Sequence, residues 1–262
     1  MAQSWPLMWR RVRIGALLVV LFVVAGGAWI DRQRTTSWED SLWIGIFPVN
    51  ADNSPATSRY IAALDQAQFA SIETFFAREA GIWNVALEQP VKVILYPAVN
   101  EQPPRLAPGA SVPARIWWSL KLRWYTWQQA GDTPADIRVF VLYHDPERHN
   151  TVPHSLGLQA GLLGVVYAWA DDTLDEPNDV VIAHEVLHTL GATDKYDAAT
   201  NLPQFPAGYA EPEAEPRYPQ TLAEIMAGRI AVSADEAQMP DSLDEVVVGA
   251  ETAAEIRWQA AP

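Results

Sequence analysis

The chain has 262 residues, 49% of them hydrophobic and 19% charged, which is enough for one large domain with a buried core and too apolar for a disordered chain. A formal net charge of −14 and a pI near 4.7 oppose non-specific attraction to nucleic acid, and no basic stripe interleaved with aromatics offsets them. Cysteine is absent, which excludes a disulfide framework, a thiolate metal site, a cysteine nucleophile and a lipid-modified cysteine.

Residues 1–13 form a basic tail in which Arg10, Arg11 and Arg13 precede an uncharged apolar stretch from Ile14 to Ile30. About 17 residues is the short end of the range for a membrane-spanning helix. Positive charge on the leading flank keeps the tail in the cytoplasm and sends the rest of the chain outside, periplasmic or extracellular. Two other readings compete with this anchor at 14–30. One is a cleaved signal peptide with Gly26-Gly27-Ala28 as its small-residue site, which would make the protein secreted. The other is a buried core helix, opposed by the clean basic flank and the lack of amphipathic spacing.

Residues 31–39 read as a polar connector and 40–262 as one domain. Leu42 to Val49 is an apolar run suited to a buried strand, and Asn50, Asp52, Asn53, Ser54 and Pro55 turn the chain after it. Ile61, Leu64, Phe69, Ile72 and Phe76 recur at helical spacing over Ser58 to Glu79. Val91 to Tyr96 predicts a second strand. Four prolines, at 103, 104, 108 and 113, stiffen the loop before a Trp-rich helix from about Ala114 to Gln129. Within it, Trp117, Leu120, Trp124 and Trp127 share one face, expected to back the sheet. Arg115, Lys121 and Arg123 make contact with a membrane interface the alternative.

Ile137 to Tyr143 is a third strand and Gly161 to Ala170 a fourth. Strands alternating with helices predict an α/β (α+β) fold with a mainly parallel, twisted mixed sheet. His144, His149 and His154, spaced by five, fit no regular element that would gather them and read as loop or strand-end residues. A helix is expected over 179–190, with Asp179 as its N-cap. A Pro-, Ala- and Glu-rich loop follows from about Ala198 to Gln220. Ser242 and Glu245 form a capping-box start for a C-terminal helical segment.

The chemistry is carried by Ile182 to Asp197, IAHEVLHTLGATDKYD. On a helix His184 and His188, four apart, project from one face and can grip one ion. Ile182 and Val186 point elsewhere, toward the sheet. Gly191 can end the helix in the left-handed conformation and let the chain return with Asp194 as a third ligand. Two imidazoles and a carboxylate suit Zn2+ and leave a fourth position for water, whose pKa zinc lowers from 15.7 to about 7. Glu185, beside the first ligand, is the candidate catalytic base that takes the water's proton.

The pattern His184-Glu185-x-x-His188-x-x-Gly191-x-x-Asp194 resembles the extended zinc motif of the metzincin metallopeptidases, in the variant where aspartate replaces the third histidine. That variant is similar to the snapalysins, which also place a tyrosine two residues after the aspartate, as Tyr196 stands here. The segment 223–229 resembles the metzincin methionine turn, with Met226 as a packing floor beneath the metal and not a ligand. The likeness runs from Ile182 to about Arg229, and no family is identified for residues 35–150. It implies a zincin-like catalytic domain over 40–262, an upper sheet with the zinc helix, a small C-terminal subdomain and a cleft between them. It also implies a peptide or protein substrate that adds to Gly161–Ala170 as an edge strand. Tyr196 is then a candidate catalytic donor to the oxyanion, or simply a packed side chain. The alternatives are an inactive zincin-fold scaffold at the membrane and a zinc amidase acting on cell-wall peptides.

Overall fold

Five strands build the main sheet: β1 (Leu42–Asn50), β2 (Val91–Leu95), β3 (Ile137–His144), β4 (Leu156–Leu158) and β5 (Leu163–Trp169). Their spatial order is β2-β1-β3-β5-β4, parallel throughout except for antiparallel β4. The computed structural model describes residues 9–15, 34–107, 109–159 and 161–259. Apart from Ile14 and Gly15, the apolar stretch Ile14–Ile30 lies outside the described residues. Among those described, no helix is long and apolar enough to cross a membrane.

Residue parity along the strands divides the core, because successive side chains point to opposite faces of a sheet. Ile44, Ile46, Ile137, Val139, Val141 and Tyr143 join one buried cluster. Phe47, Val49, Phe140 and Leu142 join the other. Helices α1 (Pro55–Ala63), α2 (Ala70–Ile82) and α4 (Asp175–Leu190) cover the first face. The second face is covered by α3 (Val112–Ala130), through Leu122 and Tyr125. The predicted mainly parallel α/β sheet is therefore present.

Three helical expectations are corrected. Ser58–Glu79 is not one helix: Leu64 turns extended after α1, and Asp65 and Gln68 form a capping box on a 3-10 turn, Gln66–Phe69. Gln66 explains the break, since its carboxamide bonds Val93 O and Leu95 N on β2. The motif helix starts at Asp175 and not at Asp179. Pro177 sits in its first turn, where a missing N–H costs nothing, and the Asn178 carboxamide bonds both backbone groups of Trp169. Ser242 caps only a 3-10 turn, Leu243–Glu245, and the last helix, α5 (Ala250–Glu255), follows separately.

Asp179 is instead buried inside α4, accepting from the Ser71 hydroxyl. Burial, reinforced by the charges of Asp175 and Glu176, pushes its pKa up from 3.8 to about 7 against the Ser71 hydrogen bond. The folded carboxyl therefore keeps its proton at a pH where the unfolded one loses it. Its contribution to stability is complete below about pH 4 and is lost as pH rises through about 7. Asp179→Asn should accordingly stabilise the fold at about pH 8 by roughly 2–4 kcal/mol, and by little at about pH 4. Urea midpoints at the two pH values check this; a gain equal at both would contradict it.

The edge strand is also corrected. The resemblance implies that Gly161–Ala170 is the edge strand, but β5 is interior, hydrogen-bonded to β3 on one side and β4 on the other. The short β4, registered Leu156 to Val165 and Leu158 to Leu163, is the edge. It runs directly beside α4.

Candidate metal centre

His184 and His188 leave α4 on the side that faces β4 and the C-terminal segments. Each ring is oriented by a backbone carbonyl. His184 Nδ1 lies 2.8 Å from Ile225 O and His188 Nδ1 2.9 Å from Ala192 O. A carbonyl only accepts, so both Nδ1 atoms carry hydrogen and both Nε2 atoms of the neutral rings are left as lone pairs. Those lone pairs point at one carboxylate oxygen: Asp194 Oδ1 is 3.3 Å from His184 Nε2 and 3.1 Å from His188 Nε2.

Three electron-rich atoms at these separations repel unless a proton or a cation lies among them. Metal–ligand bonds of 2.0–2.1 Å in a tetrahedron give ligand–ligand edges of about 3.3–3.4 Å, close to the separations found. The residues thus fit a tetrahedral ion of zinc size. Without one, burial disfavours a charged His188, yet Asp194, the Ala192 carbonyl and Glu185 raise its pKa above the ordinary value. Burial likewise acts to raise the Asp194 pKa, but the two imidazoles hold it well below the usual carboxylate range.

Among the described residues, His184, Glu185 and His188 are the group of three whose ligand atoms all lie within 4.8 Å of one another. Glu185 and Asp194 therefore compete for the third position. Asp194 is within contact distance of both Nε2 atoms, whereas Glu185 Oε2 is buried with no hydrogen-bond partner. Asp194 fits the ligand and Glu185 the free carboxylate beside it. Burial raises the Glu185 pKa, opposed by the two histidines and by the Gly157 amide.

The local sequence explains why Asp194 returns. Gly191 ends α4 at φ 105°, with its N–H on His188 O and the Ala192 N–H on Leu187 O, the left-handed cap that glycine suits. Thr193 and Lys195 then clamp the loop to α5. Thr193 donates twice to Glu255, and buried Lys195 Nζ lies 2.9 Å from the same carboxylate. Lys195 N also donates to Met226 O, so the loop and the turn at Met226 share a hydrogen bond.

Met226 is fully buried in a tight turn following β6 (Ala223–Glu224). The turn is organised by Glu224, which the sequence reading missed. Its Oε2 accepts from Met226 N (2.7 Å) and Ala227 N (3.0 Å), and its Oε1 from Thr252 Oγ1 (2.6 Å) and Gly249 N (3.2 Å). Gly157 on β4 was missed as well. A Cβ there would meet Glu185 O at 2.3 Å and His188 Cβ at 2.6 Å, so only glycine lets the edge strand lie this close to α4. Neither residue carries a sequence signal: one reads as a surface acid, the other as a loop glycine.

Two adjoining cavities of about 300 and 490 Å³ flank the centre, and both are lined by His184, Glu185 and Tyr196. Tyr196 thus reaches the site, its pKa raised by burial and then by Asp194 and Glu185. Of the three upstream histidines, His154 lines this cleft. His144 and His149 instead gather elsewhere, with ring centroids 5.4 Å apart and His149 Nε2 3.6 Å from Asp52 Oδ2.

No protein-family model matches the chain, and no curated protein matches it in sequence. Two crystal structures of wild type OgpA from Akkermansia muciniphila are similar to it at 11% and 12% identity, with TM-scores of 0.36 and 0.37. The likeness covers 82% and 85% of this chain but 59% and 62% of those chains, so this chain spans about three-fifths of their length. Likeness this distant transfers no activity.

Proposed function

We propose that the chain is a metzincin-type zinc endopeptidase, anchored by Ile14–Ile30 with its catalytic domain outside the cytoplasm. One observation carries this reading. The Nε2 lone pairs of His184 and His188 converge with Asp194 Oδ1 beside a buried carboxylate, Glu185, that has an oxygen free. Zinc, when bound, acts as a Lewis acid on a water and a substrate carbonyl.

The remaining work falls to the chain. His184 and His188 keep the right tautomer through their carbonyl partners. Glu185 takes the water's proton and returns it to the leaving amine, a role its raised pKa suits. The outer side of β4 offers backbone hydrogen bonds to an extended peptide, and the cleft beside it takes side chains. The Tyr196 hydroxyl donates to the carbonyl oxygen as charge develops on it. Met226 and Glu224 form the floor that keeps Ile225 O against His184.

Metal analysis tests the centre. The purified chain should carry about one zinc. His184→Ala or His188→Ala should lose most of it, and Asp194→Ala should bind more weakly. Equal zinc in wild type and both histidine variants would refute the assignment. Chelation should abolish cleavage of a peptide library, and added zinc should restore it.

A further inference from the structure

The expectation that Trp117, Leu120, Trp124 and Trp127 back the sheet is overturned. Leu122, Tyr125, Thr126 and Ala130 are the buried residues of α3. The opposite face, with Val112, Ile116, Trp117, Leu120, Trp124 and Trp127, is exposed among the described residues. The three tryptophans on it are 61%, 59% and 64% exposed, and the rings of Trp124 and Trp127 lie 4.9 Å apart, making one aromatic surface. Soluble proteins seldom leave a contiguous apolar face of this kind without a partner.

Charge points to the partner. The helix carries Arg115, Lys121 and Arg123 and no acidic residue, in a chain of net charge −14. Lys121 Nζ stands 5.7 Å from the centre of the Trp117 ring. At the C-terminal end of α3 a cavity of about 260 Å³ opens between Arg123, Trp127 and Arg138, and among the described residues no acidic one lines it. Arg138 is fixed there by Ala130 O and Thr133 O.

Chain connectivity points the same way. Arg34 donates to Asp136 at 2.7 Å, in the loop joining α3 to β3. Arg34 follows Ile30 by four residues, a reach of at most about 14 Å. Arg34, the first described residue after the apolar stretch, is thus held at the same end of α3 as the basic cavity. Trp43, partly exposed with Lys92 Nζ 5.9 Å from its ring, donates its backbone N–H to the same Asp136.

We propose that the exposed face of α3 rests on the membrane–water interface of the bilayer that receives Ile14–Ile30, with the Arg123–Arg138 cavity taking the phosphate of an anionic lipid. Indole, lysine and arginine are the side chains that this interface favours. A second copy suits the face less well, since it would set two basic helices against each other, whereas an anionic surface neutralises them. The arrangement rests on the anchor of the proposed function and not on its chemistry.

The absence of cysteine permits single labels. Full-length chain carrying Ile116→Cys, Leu120→Cys or Arg59→Cys is spin-labelled and reconstituted in vesicles of phosphatidylethanolamine and phosphatidylglycerol. Arg59 lies on α1, across the sheet from α3. Labels at 116 and 120 should be open to oxygen dissolved in lipid and shielded several-fold more than the label at 59 from a water-soluble nickel complex. Lys121→Glu with Arg123→Glu should remove most of that shielding; unchanged shielding would overturn the anionic-lipid contact. Equal access of nickel at all three positions overturns the membrane face. So does dipolar broadening between labels that fades on dilution with lipid, which would put a second copy there. Protein washed off by carbonate overturns the anchor and this arrangement with it. Protein retained with its helix labels in water overturns the face alone.

Discussion

Glu185→Gln should cleave peptides roughly 10²–10⁴-fold more slowly than wild type while keeping its zinc and its melting temperature. The loss corresponds to about 3–5 kcal/mol of transition-state stabilisation. An amide matches the carboxylate in size but cannot accept a proton from water. Because Glu185 Oε2 has no hydrogen-bond partner, the substitution strands no donor elsewhere. It also removes a buried charge, so the fold should lose little. Zinc should stay because Asp194, and not Glu185, contacts both histidine Nε2 atoms. Peptide-library cleavage beside metal analysis and a melting curve reads all three quantities. A variant as fast as wild type would refute the acid–base role. Zinc-loaded proteins that both leave every peptide intact would instead indicate a binding scaffold.

Glu224→Ala should destabilise the fold by about 3–5 kcal/mol, a large share of a typical domain's 5–15 kcal/mol. The carboxylate is fully buried and satisfies four donors: Met226 N, Ala227 N, Gly249 N and Thr252 Oγ1. Removing it takes this acceptor from Met226 N and Thr252 Oγ1, both buried, and from half-buried Gly249 N, while Ala227 N keeps its bond to the Glu224 carbonyl. Glu224→Gln should cost less but still measurably, since its NH2 group would face N–H or O–H donors. Burial pushes the Glu224 pKa up against the same four donors. Zinc affinity should fall together with stability, because this turn presents Ile225 O to His184. Denaturant midpoints and zinc titration together check the prediction. A variant with wild-type stability would show that Met226 holds the turn without Glu224.

The candidate ligand pair on the helix and the cap after it were legible in sequence because their geometry is local. A four-residue spacing fixes the relative direction of His184 and His188 on any α-helix. Gly191 marks the left-handed turn that glycine favours at a helix end, and here φ is 105°. The parallel sheet was legible for a similar reason: strands buried on both faces read as continuous apolar runs, as in β1 and β3.

Long-range contacts decided what the sequence could not. The strand at the sheet edge depends on β4 folding back antiparallel to β5, a pairing with no periodic signal over three residues. Glu224 matters only because Thr252 and Gly249 arrive from α5 and its cap. Gly157 matters only because β4 lies against α4. The clearest case is α3, which is apolar on two sides. Periodicity identifies a stripe but does not say which of two stripes faces inward. Leu122 and Tyr125 won the inner position because they pack with Phe47, Phe140 and Leu142 from the sheet, and the larger, tryptophan-rich stripe was left outside.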